Sequence, residues 1–237
     1  MQLRRHGLQL LVLLMTLTAT EPCGAAQDGP YTFNPKESEE DYAALIGVRS
    51  LPDIVTNENA AMLGFKNQSE VSSVTTGVPF YVYQVDILDL RRFDPAGGKV
   101  VPLLKPMKIL IYPLLTGRQD DENGKLKTRS ALVVSQRTDK VDKTKSTWKP
   151  TNWGLVLLAQ AMTKYRARVN GFASGVIVWI PGLNLHFLGD QVTENLMLIP
   201  LADRKAYGLT KGVPISAKIV FALYALEAKY LDVDYPG

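Results

Sequence analysis

Cysteine and histidine are nearly absent: the 237 residues hold one cysteine, Cys23, and two histidines, His6 and His186. Cys23 and His6 both fall in the opening "MQLRRHGLQLLVLLMTLTATEPCGA". Arg4 and Arg5 make a positive start, Leu8 to Ala19 an apolar stretch, and small residues ending at Ala25 or Ala26 a cleavage region. That three-part order is a secretory signal peptide, to be cut near Ala25, and it predicts a periplasmic or secreted chain. Glu21 and Pro22 stand where an acylated cysteine would need small neighbours, which argues against lipidation of Cys23. The stretch is short of the ~20 apolar residues a membrane-spanning helix requires, and no later run reaches that length.

The absences exclude chemistry. A mature chain without a thiol has no disulfide, no thiolate nucleophile and no cysteine-bound metal. With His186 as its one histidine, a zinc site would rest on carboxylates, so no metal is expected. Neither a phosphate-cradling glycine loop nor a dinucleotide fingerprint is present, and no cofactor is expected. "STWK" (Ser146–Lys149) matches S-x-x-K in form, yet it precedes Pro150 in what reads as a polar loop and lacks its partner motifs. Charge is also scarce. The formal +4 falls to +3 once Arg4, Arg5 and Glu21 leave with the leader. Between Arg118 and Lys149, nine bases are interleaved with five acids, which reads as solvated loops flanking one strand rather than a nucleic-acid face.

What is present is an apolar core spread over roughly 210 residues, enough for one domain without staples. After a polar arm, Ser38 can cap a helix whose Glu39, Glu40 and Asp41 suit its positive end. Tyr42, Leu45 and Ile46 would be its buried stripe, and Gly47 its end. Further helices are expected at Asn57–Phe65 and from Ser69 to Gly77. Val78–Asp86, Lys108–Leu115, "SALVVSQ", Gly175–Pro181 and Leu196–Ala202 read as strands. Leu155, Leu158, Met162, Tyr165 and Val169 mark one helical face, ending at Gly171. Pro214 would open a last helix that buries Ile215, Ile219, Ala222, Leu223, Leu226 and Tyr230.

Two stretches of the chain share an order. "FYVYQV" is followed by Leu88–Asp89–Leu90 and then "KILIYPLL"; "VIVWIP" is followed by Leu183–Asn184–Leu185 and then "LMLIPLA". The expectation is a single α+β (mixed α/β) domain of two pseudo-repeated helix–strand halves around a mixed sheet. Its divisions are a signal peptide at 1–25, an arm and helix at 26–56, a first half at 57–150 and a second half at 151–237. The order of helix, "GVPF" strand, "VIVWIPGLNLHFLG" and "IPLADRKAYGL" resembles the chloroplast import-accessory proteins of the Tic type and their cyanobacterial periplasmic relatives. The likeness covers Ala60 to Tyr230, without a counterpart for Arg118–Lys149. It implies an exported, two-halved molecule with apolar grooves and a chaperone-like role, and it carries over no site residue.

Trp148, Trp153, Trp179 and His186 are the candidate binding residues, since aromatics at junctions can line a groove. The expected partner is a protein or a lipid-like apolar ligand, with no nucleic acid and no integral membrane segment in the mature chain. The competing reading is a carboxylate-dependent hydrolase of envelope material, using two of Asp86, Asp89, Asp190 and Glu194 as acid and base.

Overall fold

Long β-branched and aromatic strings favour a sheet at the centre of this chain. The computed structural model, which describes residues 32–116, 127–139, 142, 144–168 and 175–229, is built on one. Its strands are β1 (Thr75–Thr76), β2 (Phe80–Gln84), β3 (Lys105–Thr116), β4 (Lys127–Thr138), β5 (Ser146–Trp153), β6 (Gly175–Ile180), β7 (Leu185–Gly189), β8 (Met197–Pro200) and β9 (Ile215–Ser216). They lie in the order β5-β4-β3-β2-β6-β7-β8-β9, with β1 beside β3. Neighbours are antiparallel except β2 and β6, which run parallel from Phe80↔Gly175 to Gln84↔Trp179. With helices α1 (Glu39–Arg49), α2 (Leu51–Ile54), α3 (Ile87–Arg91), α4 (Val156–Arg168) and α5 (Ala217–Ala228), the fold is α+β with a mixed sheet.

The parallel pair is a seam. On one side β2 to β5 form an antiparallel meander, and on the other β6 to β9 form a second. Leu88–Asp89–Leu90 and Leu183–Asn184–Leu185 follow the two seam strands, in α3 and at the entry to β7. The two proline strings, however, take different steps. Pro113 lies inside β3, the second strand of its meander, and Pro200 ends β8, the third strand of the other. By strand order "KILIYPLL" therefore corresponds to "LHFLG" rather than to "LMLIPLA". Each proline is tolerated for its own reason. The Pro113 carbonyl accepts from Gly77 N at 2.8 Å in the gap between β1 and β2, so the amide it lacks would have faced a broken ladder. Pro200 simply closes its strand.

Because side chains alternate across a sheet, each meander has two faces to cover. On one face α1 and residues 51–74 cover β3 to β5, with Ala43, Ala44, Leu51 and Phe65 meeting Leu110, Tyr112, Leu132 and Val134. On the same face α3 and α5 cover β6 to β8, with Leu90, Val220, Phe221 and Tyr224 meeting Val176, Val178, Phe187 and Leu198. On the opposite face α4 lays Leu158, Ala159, Met162 and Tyr165 on Phe80, Ile109, Ile111 and Val133. Each such large side chain contributes roughly 1.5–3 kcal/mol on burial. The remaining quarter, the α4 face of β6 to β8, has no helix of its own among the described residues, and there Ile177 and Leu188 join the α4 cluster.

Several local expectations change. Ser38 does cap α1, its hydroxyl accepting from Asp41 N at 3.2 Å. The helix runs through Gly47 and turns its small face inward. Asp41, Ala43, Ala44 and Gly47 are buried while Tyr42 and Ile46 are exposed. Close approach decides this: a Cβ on Gly47 would come within 2.7 Å of Leu132 and 3.0 Å of Pro150. Residues 57–64 are turns instead of a helix, and the next element is a 3-10 helix at Gln68–Ser73 capped by Asn67 rather than Ser69. "STWK" is edge strand β5, not loop.

The last helix starts at Ala217, after Pro214 and Ile215. It buries Ala217, Val220, Phe221, Tyr224, Ala225 and Ala228 and leaves Ile219 and Leu226 exposed. Of its twelve residues only Lys218 and Glu227 are charged, so hydrophobic pattern could not select the inward face. Val169, Gly171, Tyr230 and the leader lie outside the described residues.

Two polar links pin the first meander. Asp41 is 1% exposed, and its carboxylate accepts from Tyr112 Oη and Asn34 N, each at 2.8 Å. A buried charge is tolerated when hydrogen-bonded in this way. Glu70 accepts from Arg129 Nε at 2.9 Å, Thr116 Oγ1 at 3.1 Å and Lys66 N at 2.6 Å. Burial pulls the Glu70 pKa upward, but the Lys66 amide, the Thr116 hydroxyl and Arg129 outweigh it and hold the carboxyl below its usual range.

Candidate ligand pocket

The uncovered quarter holds a pocket of about 340 Å³, within the range of small-molecule sites. Its floor is the seam. Ile177 and Trp179 project from β6, His186 from β7 and Val82 from β2, all on the α4 face by strand alternation. Leu155, Leu158 and Ala161 of α4 make one wall. The chain leaving β8, Pro200 to Ala202, makes the other, continued by Arg204, Leu209 and Lys211.

Trp179 and His186 are cross-strand partners whose rings stack at 6.0 Å between centroids, with 15° between planes. Cross-strand aromatic pairs at this spacing attract and stiffen one another. Burial depresses the His186 pKa to about 4, because a charged imidazole would lose its hydration, so the ring is neutral at physiological pH. Trp179 is 6% exposed and its indole N–H has no hydrogen-bond partner, an uncompensated donor in the pocket wall.

The polar groups gather at one end. Asn184, in left-handed backbone conformation at φ 53°, shapes the turn from β6 into β7. Its carbonyl accepts a long hydrogen bond from the Arg204 guanidinium at 3.4 Å. Among the described residues no carboxylate lines the pocket. With a neutral histidine lacking any acid beside it, this lining is chemically suited to holding a ligand, and it offers no acid–base pair.

Of the residues singled out in the sequence, Trp179 and His186 are brought together here. Trp148 and Trp153 are not. Both pack from β5 into the α1 cluster on the opposite face, and Trp153 Nε1 donates to the Gly47 carbonyl at 3.2 Å. They anchor a helix. Asp86 caps α3, accepting from Leu88 N at 2.7 Å, and shares Lys105 with Asp89. Asp190 follows β7, at the opposite end of the seam, where it accepts from Gln191 N at 2.8 Å. Glu194 ties down the α3–β3 connection, accepting from Val100 N at 2.6 Å and Val101 N at 3.3 Å. Asp86 and Asp89 thus meet at one lysine, and none of the four acids is among the pocket's lining residues. Among the described residues no group of three or more His, Cys, Asp and Glu could hold a metal ion, and no helix is long and apolar enough to cross a membrane.

Sequence reading missed Arg204 and Lys211, the apolar Leu209 between them and the place of Leu201 beside them in the lining. The signal available was a turn, "LADRKAYGLTKG", whose leucines have no periodic partners. No protein-family model, no curated protein and no solved structure matches this chain.

Proposed function

We propose that this chain is an exported, non-catalytic binding module of the periplasm or cell envelope, and that it holds an apolar, lipid-like ligand in the pocket over β6 and β7. The observation that carries the reading is the pocket itself. A sheet face that elsewhere lies under helices here ends in a 340 Å³ pocket floored by Trp179 and His186. Apolar surface left open to water is costly, at about 25 cal/mol per Å², and a bound alkyl or aromatic body recovers that energy.

The leader, with Arg4, Arg5 and its apolar stretch from Leu8, supports export. The resemblance to import-accessory proteins supports a groove that holds apolar segments. The hydrolase alternative draws nothing from the site, since the four acids are engaged elsewhere in caps, a shared lysine and backbone contacts.

Calorimetric titration with decanol, a neutral probe of the apolar wall, tests the reading. Saturable binding of one decanol per chain is expected, and a titration without saturable heat would contradict it.

A further inference from the structure

We propose that the pocket selects amphiphiles with an anionic head, a carboxylate, sulfate or phosphate on an alkyl body, with Arg204 and Lys211 receiving the head at the rim. The inference rests on the pocket being a ligand site and adds the chemistry of what it takes.

The charges on the lining are of one sign. Among the described residues, Arg204 and Lys211 are its only ionised ones, and neither belongs to any of the four salt bridges found there. Their placement is fixed by backbone. Arg204 N donates to the Leu209 carbonyl at 2.9 Å, and Leu209 N returns a bond to the Arg204 carbonyl at 3.2 Å, which closes the turn on itself. Lys211 N donates to Asp203 Oδ1 at 2.7 Å, which brings residue 211 back beside residues 203–204. Two acids lie nearby outside the lining: Asp203, whose Oδ1 accepts from that amide, and Glu227, which lies against the Tyr207 hydroxyl and keeps one carboxylate oxygen without a hydrogen-bond partner.

Opposite this cationic rim, the floor and the α4 wall are aromatic and aliphatic. One end of the pocket is therefore apolar and the other positive. A guanidinium and an ammonium on one rim can together donate several charge-assisted hydrogen bonds to a tetrahedral or planar anion. A neutral head leaves both cations to water, and a cationic head meets repulsion.

The test is calorimetric titration of the protein with alkyl probes of equal chain length, below their micellar concentrations: decanoate, decyl sulfate, decanol and decyltrimethylammonium. Decanoate and decyl sulfate are expected to bind about tenfold more tightly than decanol, with the cationic probe weakest. Added salt should weaken the two anions and leave decanol unchanged. In R204Q/K211Q, two exposed rim positions, the anionic advantage, read as the ratio of decanoate to decanol affinity, should shrink to about threefold or less. Equal affinities for all four probes, or an anionic preference that survives in the double variant, would overturn the anionic assignment and leave the pocket standing. Failure of every probe to bind would remove the pocket as a site and this inference with it.

Discussion

One face of the sheet is finished in two ways. Over β2 to β4, α4 closes it with Leu158, Ala159, Met162 and Tyr165, and Tyr165 sets its ring edge-on to Phe80 at 5.7 Å and 68°. Over β6 to β8, a short connection rich in charged residues, Leu201 to Lys211, reaches across instead, and a pocket remains. The difference lies in what each segment can offer. A helix with apolar residues at three- and four-residue steps presents a continuous stripe that dries the sheet beneath it. A turn bonded to itself, with the exposed Arg204 and Lys211 at the pocket rim, contributes Leu201 and Leu209 as its apolar lining. The same floor chemistry thus becomes core on one side and lines a pocket on the other.

The largest expected effect comes from breaking the seam both sides share. A Cβ on Gly175 would lie 2.2 Å from the Phe80 ring, which is fully buried. Gly175→Val should cost about 3 kcal/mol or more by denaturant unfolding, lowering the midpoint for the whole domain.

Two alanines of α4 separate the closed side from the open one. Ala159 is fully buried in the core, so Ala159→Leu should destabilise by about 1–3 kcal/mol. Ala161 borders the pocket, so Ala161→Phe should change stability by less than about 1 kcal/mol and abolish decanol binding, read by melting and calorimetry. Equal stability losses would mean there is no usable space beside Ala161.

A smaller effect belongs to the open side alone. His186 has a folded pKa of about 4, below the ordinary value of 6.5. Between those values the unfolded chain binds the extra proton, so stability is lost as pH falls from about 6.5 toward 4. Over the first unit of that window His186→Gln should remove about 1 kcal/mol of the pH dependence, measured as the difference between wild-type and variant unfolding curves. Asp89→Asn lies outside both regions. It should shift stability by less than about 1 kcal/mol, as expected for an exposed ion pair, and leave decanol binding unchanged.

The contrast also explains what could be read from sequence. β2, β3, β4 and β6 were legible because β-branched and aromatic runs have few alternatives. The α4 stripe was legible because Leu155, Leu158, Met162 and Tyr165 alternate with lysine, glutamine and arginine. α1 and α5 misled for opposite reasons. In α1, tight packing against Leu132 favoured alanine and glycine over the larger Tyr42 and Ile46; in α5, both faces are apolar. β5 hid as a loop because an edge strand tolerates lysine and proline. Trp179 and His186 were visible as candidates by residue type. Trp148 and Trp153 share that type, and only the strand register, which turns them toward α1, tells the two pairs apart. Arg204 and Lys211 join the site through a turn that carries no periodicity at all.

The three tryptophans place one reporter in the pocket and two on the opposite face of the sheet, against α1. Their indole N–H resonances can be followed separately while decanoate is titrated into isotope-labelled protein. The account predicts that the Trp179 signal moves progressively and saturates while those of Trp148 and Trp153 stay in place. Movement of Trp148 or Trp153 with Trp179 unmoved would contradict it.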